Sequence, residues 1–193
     1  MNQKNLLEVD WSKIPAPTDD DAAAHLNGMM IPPVSLFATD DTFVTLSALP
    51  GRTVVFAYPR TGEPGKISIV DDWDMIPGAR GCTPQTCAFR DLFAELKAAG
   101  AAHVFGLSTQ SNAYQAEMAA RLHLPFPVLS DEKLALSGAL DLPTMEVAGL
   151  TLIKRLALII DNARITHVFY PVFPPDRNAG DVLAWLRENP AKA

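Results

Sequence analysis

The chain has 193 residues, enough for one domain with a sizeable core and short for two. Apolar residues make up 48% and charged residues 20%, the balance of an ordinary globular protein rather than a disordered or fibrous one. Sixteen basic against 22 acidic side chains leave a net charge of -6, which offers no cationic surface for nucleic acid or for an anionic membrane.

The first residues, "MNQKNLLEVDWSK", lack the uninterrupted apolar stretch of a signal peptide. No run of about 18 apolar residues occurs anywhere, so the reading is a cytoplasmic protein without a membrane span. Residues 1–28 read as an N-terminal arm. Within it "TDDDAAAHLNG" predicts a short helix, capped by Thr18, with Asp21 completing a capping box and Gly28 ending it. From residue 31 short strands are expected, among them the alternating "FVTLS" and the buried run "TVVFAY", closed by Pro59. Residues 60–78, "RTGEPGKISIVDDWDMIPG", are rich in turn formers and acids and read as a long loop or flap.

The clearest helix is "PQTCAFRDLFAELKAAG", in which Phe89, Leu92, Phe93 and Leu96 share one face and Gly100 supplies the stop. A strand "AHVFGLS", a helix "SNAYQAEMAARLH", a short strand "FPVLS" and a helix "DEKLALSGAL" follow. "RLALIID" and "ITHVFYPV" read as a hairpin around the turn "DNA", and "RNAGDVLAWLREN" is the last helix. This order predicts an α/β fold, a mixed central sheet flanked by helices on both faces.

Both cysteines fall in "ARGCTPQTCAFRD", Cys82 and Cys87 with four residues between them. In a reducing compartment such a pair points to catalysis or metal binding rather than a structural bridge. Pro84 suits the first helical turn and pushes Thr83 out of the α region, so the helix starts near Thr83 with Cys82 at its N-terminal edge. There the unpaired N–H groups and the helix dipole favour an anion, and a thiol so placed is expected to ionise more readily. Were both cysteines helical, their Cα atoms would stand roughly 9 Å apart, too far for a disulfide unless the first turn unwinds. Zinc would want four ligands, and His25, His103, His123 and His167 have no spacing that completes a site. Two inert buried cysteines remain the bland alternative.

The segment "GCTPQTCAFRDLFAEL" resembles the "GCTxEACxFRD" helix start of the peroxiredoxins, particularly the bacterioferritin comigratory protein (PrxQ) type. The resemblance runs over about residues 30–190, through "TVVFAYP", "VFGLST", "LPFPVLSD" and "KRLALIID". It implies a thioredoxin-like fold at residues 29–193 and a thiol-dependent peroxidase needing no metal, haem or flavin. Cys82 matches the cysteine that attacks the peroxide, and Cys87 the one that condenses with the resulting sulfenic acid. Arg155, six residues before Asp161, matches the family's active-site arginine. Lys154 beside it would point to the opposite face of a strand. A thioredoxin-like or glutaredoxin-like dithiol would recycle the pair, and the protein would be a monomer or homodimer.

Two departures stand out. The family places a hydroxyl residue three before the reactive cysteine, and here that position is Ala79. An insertion of about sixteen residues at 60–78 accounts for this if Pro59 is the family proline and Thr61 the displaced hydroxyl, with Thr83 as the other candidate. Gln85 stands where the family carries Glu, and its bland reading is a solvated helix residue. A general thiol-disulfide oxidoreductase and a redox-responsive binding module are the competing functions.

Overall fold

In the computed structural model, which describes residues 9–191, the apolar run before Pro59 forms β3 (Arg52–Ala57), every residue of it buried. Its alternation serves two cores. Val55 and Ala57 face one cluster with Leu107, Leu129, Leu136 and Leu158, while Val54 and Phe56 face another with Phe89, Met118, Ile159 and Leu186. A strand covered on both faces reads as a continuous apolar run, which is why this segment shows no polar alternation.

The preceding strands are β1 (Ser35–Ala38) and β2 (Phe43–Thr45). After β3 come the helices α1 (Cys82–Asp91) and α2 (Phe93–Ala98), β4 (His103–Ser108), α3 (Asn112–Leu122) and β5 (Val128–Ser130). The chain continues through α4 (Ala135–Leu140), β6 (Thr144–Val147), β7 (Leu150–Ile153), β8 (Leu156–Asp161), β9 (Arg164–Phe169) and α5 (Asn178–Glu188). Seven strands make one mixed sheet in the order β2-β1-β5-β4-β3-β8-β9. β3 runs parallel to β4 and antiparallel to β8, and β8 and β9 form the expected hairpin, turning at Asn162 and Ala163, both at positive φ. The α/β arrangement is thioredoxin-like, as expected.

Four local readings are corrected. The helix expected after Thr18 is a series of turns: Asp21 sits at φ 58, and Asp19 and Asp20 accept from the amides of Asp21 and Ala22, satisfying them without helix. This stretch lies against the domain, with Ala23 and Leu26 buried in its core. The long helix after Cys82 is broken at Leu92, whose ψ of 11 separates α1 from α2. The alternating "FVTLS" stays extended only to Thr45 and then tightens into a 3-10 turn. A separate hairpin, β6 with β7, turns at Ala148 and Gly149 where the sequence pattern predicts no strands.

The segment 60–78 has no regular structure beyond a 3-10 turn at Trp73–Met75, but it is docked. Trp73 is buried in a small third cluster with Ala79, Val147 and Leu152, so the β6–β7 hairpin supplies the floor on which the insertion rests.

Phe89 fixes α1 to the sheet. Its ring stacks on Phe56 at 4.0 Å between centroids and 5° between planes, and both are fully buried. Phe89→Ala should lower unfolding free energy by about 3–5 kcal/mol, measurable by denaturant titration. A loss under about 1 kcal/mol would mean that the stack does not hold the helix.

Candidate active site

Cys82 is the first residue of α1, 2% exposed. The residue before it, Gly81, has φ 105 and makes no side-chain cap, so the chain enters the helix through a conformation that L residues rarely adopt. The helix therefore begins one residue earlier than Thr83, and its free N-terminal end lies at the cysteine itself. A Cβ on Gly81 would stand 2.6 Å from Pro175 Cγ and 2.7 Å from Trp11 Cη2. Trp11 comes from the N-terminal segment, donates its indole N–H to Asp176 at 2.9 Å and meets Phe173 edge-on. Segments far apart in sequence thus close over the start of α1.

The structure brings Arg155 to Cys82. Its Nη2 lies 3.2 Å from Cys82 Sγ and also reaches the carbonyls of Gly78, Ala79 and Arg80 at 3.1, 3.3 and 3.1 Å. Its Nη1 donates to Gln85 Oε1 at 2.5 Å. Its Nε–H is buried without a partner among the described residues. Arg155 occupies the link between β7 and β8 rather than a strand, and Lys154 beside it turns outward to Asp20 at 2.5 Å. That contact, with the Tyr170 hydroxyl at 2.6 Å, holds the Asp20 carboxyl down at about 2. It ties the N-terminal segment to the residue adjoining Arg155.

A charge-assisted contact from a guanidinium is strongest when its acceptor is an anion, so this geometry suits a thiolate at Cys82. The Ala79 carbonyl lies 3.5 Å from the same sulfur and accepts from it while it is a thiol. Ala79 lacks a hydroxyl, yet its main chain joins the site.

Gln85 is not a solvated helix residue. It is fully buried, and its amide donates to Asn178 Oδ1 at 2.9 Å. A buried amide must find partners for both ends, and Gln85 finds them 70 and 93 residues away in sequence. Gln85 thus gives Arg155 a neutral partner.

Thr61 is buried, and its hydroxyl and amide both donate to Gln110 Oε1, at 3.1 and 2.9 Å. The hydroxyl expected at the sulfur is thus committed to Gln110 instead. Pro59 is buried at the end of β3, and its carbonyl accepts from Ser108 Oγ at 3.3 Å. Thr83 is buried at the second position of α1.

Cys87 is a free thiol on the same helix, 7% exposed, and burial pushes its titration up despite the nearby charge of Arg90. Tyr58, next to β3, is raised well above the ordinary phenol by burial and then by the charge of Cys82. Its hydroxyl donates to Gln115 Oε1 at 3.0 Å and stays protonated. Asn178, Trp11, Tyr58 and Gln110 had no motif to mark them. The available hint was a glutamine placed between two cysteines at a helix start.

Neither of two cavities is lined by Cys82, Cys87 or Arg155. One of about 180 Å³ is lined by Arg60, Thr61, Lys66, Ile69, Trp73 and Tyr114, so the insertion forms most of it. The other, of about 260 Å³, lies against β9 at His167 and Tyr170 and shares no lining residue with the cysteine site. Among the described residues no helix is long and apolar enough to cross a membrane.

Comparison with known proteins agrees with the geometry. The Redoxin family model matches residues 26–183. Peroxiredoxin Q, chloroplastic, of Oryza sativa subsp. japonica is 32% identical over 162 residues, which are 83% of this chain and 66% of that protein. The chain thus spans just under two thirds of its rice relative's length. The crystal structure of peroxidoxin BcpB from Mycobacterium tuberculosis superposes with a TM-score of 0.66 at 26% identity, covering 84% of this chain and 97% of that one. A structure of peroxiredoxin Q from Xanthomonas campestris gives 0.64 at 25% identity, covering 81% and 90%. With a family model matched over most of its length and the cysteine and arginine of the motif in hydrogen-bond contact, the chain belongs to the Redoxin family, among the peroxiredoxins of the Q type.

Proposed function

We propose that the protein is a thiol-dependent peroxidase that reduces hydrogen peroxide and organic hydroperoxides. The observation that carries this reading is the 3.2 Å contact between Arg155 Nη2 and Cys82 Sγ at the N-terminal end of α1. Thiolate attack on the terminal oxygen of a hydroperoxide breaks the O–O bond, leaving Cys82 as a sulfenic acid and releasing an alkoxide or hydroxide that takes up a proton. Positive charge at the sulfur favours the attacking species, and the Arg155 N–H groups can hold the peroxide oxygens as charge moves onto the leaving one. Cys87 then attacks the sulfenic sulfur, a water leaves, and an 82–87 disulfide results. A dithiol of the thioredoxin or glutaredoxin kind returns both cysteines to thiols by exchange. We propose a reducing compartment such as the cytoplasm for the cycle.

A four-residue spacer across a helix start argues against a general oxidoreductase, since each exchange would require the helix to open. In the test, the protein with dithiothreitol should consume hydrogen peroxide catalytically, and Cys82→Ser should abolish it. Cys87→Ser should retain one rapid equivalent and leave a sulfenic acid at Cys82 that dimedone captures. Insulin reduction without peroxide turnover would favour the oxidoreductase instead, and neither activity would favour a redox-responsive binding module.

The raised titration of Cys87 gives a pH signature. Because the thiolate attacks and burial disfavours it, the disulfide step should accelerate as pH rises through the alkaline range. Peroxide-independent fluorescence changes followed from pH 6 to 10 read this directly, and a flat profile would contradict it.

A further inference from the structure

The insertion is pinned towards both ends. At its start Thr61 donates to Gln110, the Tyr114 hydroxyl donates to the Thr61 carbonyl at 3.0 Å, and Arg121 reaches the Gly62 carbonyl at 3.4 Å. Further on, Trp73 is buried in the cluster with Val147 and Leu152. Between these anchors lies the cavity of about 180 Å³. A cavity of about 150 Å³ can hold benzene, so this one admits a single ring with a small substituent.

Its walls are of two kinds. Trp73, Tyr114 and Ile69 make it aromatic and apolar, and Ile67, which also lines it, is 94% exposed. Arg60 and Lys66 bring positive charge and Glu63 negative. Lys66 is paired with Glu63, so those two cancel. That leaves Arg60, half-buried, with its guanidinium carbon 4.8 Å from the Tyr114 ring centroid. The ring takes up one face of the guanidinium plane and leaves its edge of N–H groups free to donate. Among the described residues no carboxylate pairs with Arg60, and its N–H groups donate to none of them.

We propose that this cavity is a binding site for a small carboxylate with an apolar or aromatic body, separate from the peroxide site. The carboxylate meets the edge of the Arg60 guanidinium, whose planar fork fits two oxygens. The body lies against Trp73, Ile69 and Ile67, which takes apolar surface out of water. With Lys66 and Glu63 cancelling, the lining carries one net positive charge, which suits a monoanion and disfavours a cation. The peroxidase reading is not needed for this, since neither cysteine nor Arg155 lines the cavity. The occupant nonetheless touches Trp73, which packs with Ala79, whose carbonyl lies 3.5 Å from Cys82 Sγ.

Benzoate, benzamide and benzamidine share one shape and carry negative, no and positive charge, and the three tryptophans report on three places. Trp73 lines the cavity, Trp11 stands beside Gly81 at the start of α1, and Trp185 stacks on His167 of the other cavity. In a proton–nitrogen correlation spectrum of the reduced protein, benzoate should move the Trp73 indole signal, identified by its loss in Trp73→Phe. The dissociation constant should be about 1 mM, ordinary for so small a ligand. Trp11 and Trp185 should stay in place. Benzamide should bind about tenfold more weakly and benzamidine not measurably. Arg60→Gln should weaken benzoate about tenfold, the worth of a charge-assisted bond, and leave benzamide as it was. Ile67→Glu alters a side chain that is almost wholly in solvent, so it keeps the fold should Arg60→Gln lose it, and it should weaken benzoate severalfold. No Trp73 shift at tens of millimolar benzoate, equal binding of the three compounds, or a shift unchanged in both variants would overturn the site. A shift confined to Trp11 and lost in Arg155→Lys would put the carboxylate at the cysteine and overturn it equally.

Discussion

Replacing Arg155 by alanine is expected to lower kcat/KM for hydrogen peroxide by two to three orders of magnitude, about the cost of removing a preorganised donor from a reacting centre. The contact at 3.2 Å to Cys82 is lost, and so is a donor to three carbonyls and to Gln85 Oε1. Gln85 Oε1 is buried and loses this donor, so a drop in stability of about 1–3 kcal/mol should accompany the loss of rate. Arg155→Lys separates the two effects. An ammonium keeps the charge, but it cannot span Gln85 and Cys82 as a rigid fork, so the rate should fall about tenfold while the fold holds. Steady-state peroxide consumption coupled to a thiol assay, alongside thermal melting, checks both. A native rate in the alanine variant would remove Arg155 from the mechanism.

The second large effect should come from Gly81, where no side chain acts. Any Cβ there meets Pro175 at 2.6 Å and Trp11 at 2.7 Å, and the residue must also hold φ 105. Positive-φ strain of about 1–3 kcal/mol and overpacking of about 1–3 kcal/mol together predict that Gly81→Ala costs roughly 2–6 kcal/mol. Because Cys82 follows directly, the peroxide rate should fall with it. Gly78 provides an internal comparison: its φ is 79, but the nearest atom to an added Cβ is Pro17 Cβ at 3.6 Å. Gly78→Ala should therefore show the strain alone, about 1 kcal/mol. Melting curves of the two variants test the difference, and equal losses would mean that the contact with Trp11 and Pro175 is slack.

The parts of this protein that were legible in its sequence are those whose cause is local. The buried run of β3 and the cysteine at the start of α1 each follow from neighbours a few residues away, whereas Arg155 is marked by the resemblance of "KRLALIID" to the family's motif. The parts that were not legible depend on partners far along the chain. Gln85 looks solvated on a helical wheel and is buried because Arg155 and Asn178 reach it. Thr61 reads as the displaced active-site hydroxyl, yet its hydroxyl donates to Gln110, 49 residues away. The β6–β7 hairpin is two four-residue strands around a two-residue turn, too short for periodicity to mark, and its Val147 and Leu152 pack with Trp73. The acids at 19–21 read as a helix start, yet their carboxylates satisfy local amides in turns and one reaches Lys154.

Three consecutive carbonyls, from Gly78 to Arg80, converge on one nitrogen of Arg155. Main-chain oxygens are present whatever residue occupies a position, so this half of the arginine's support is indifferent to which side chains stand at 79 and 80. What it does require is the path of the backbone, set by positive φ at Gly78 and Gly81. The contacts to Arg155 thus constrain the loop's shape, while the burial of Ala79 against Trp73, Val147 and Leu152 separately keeps that side chain small.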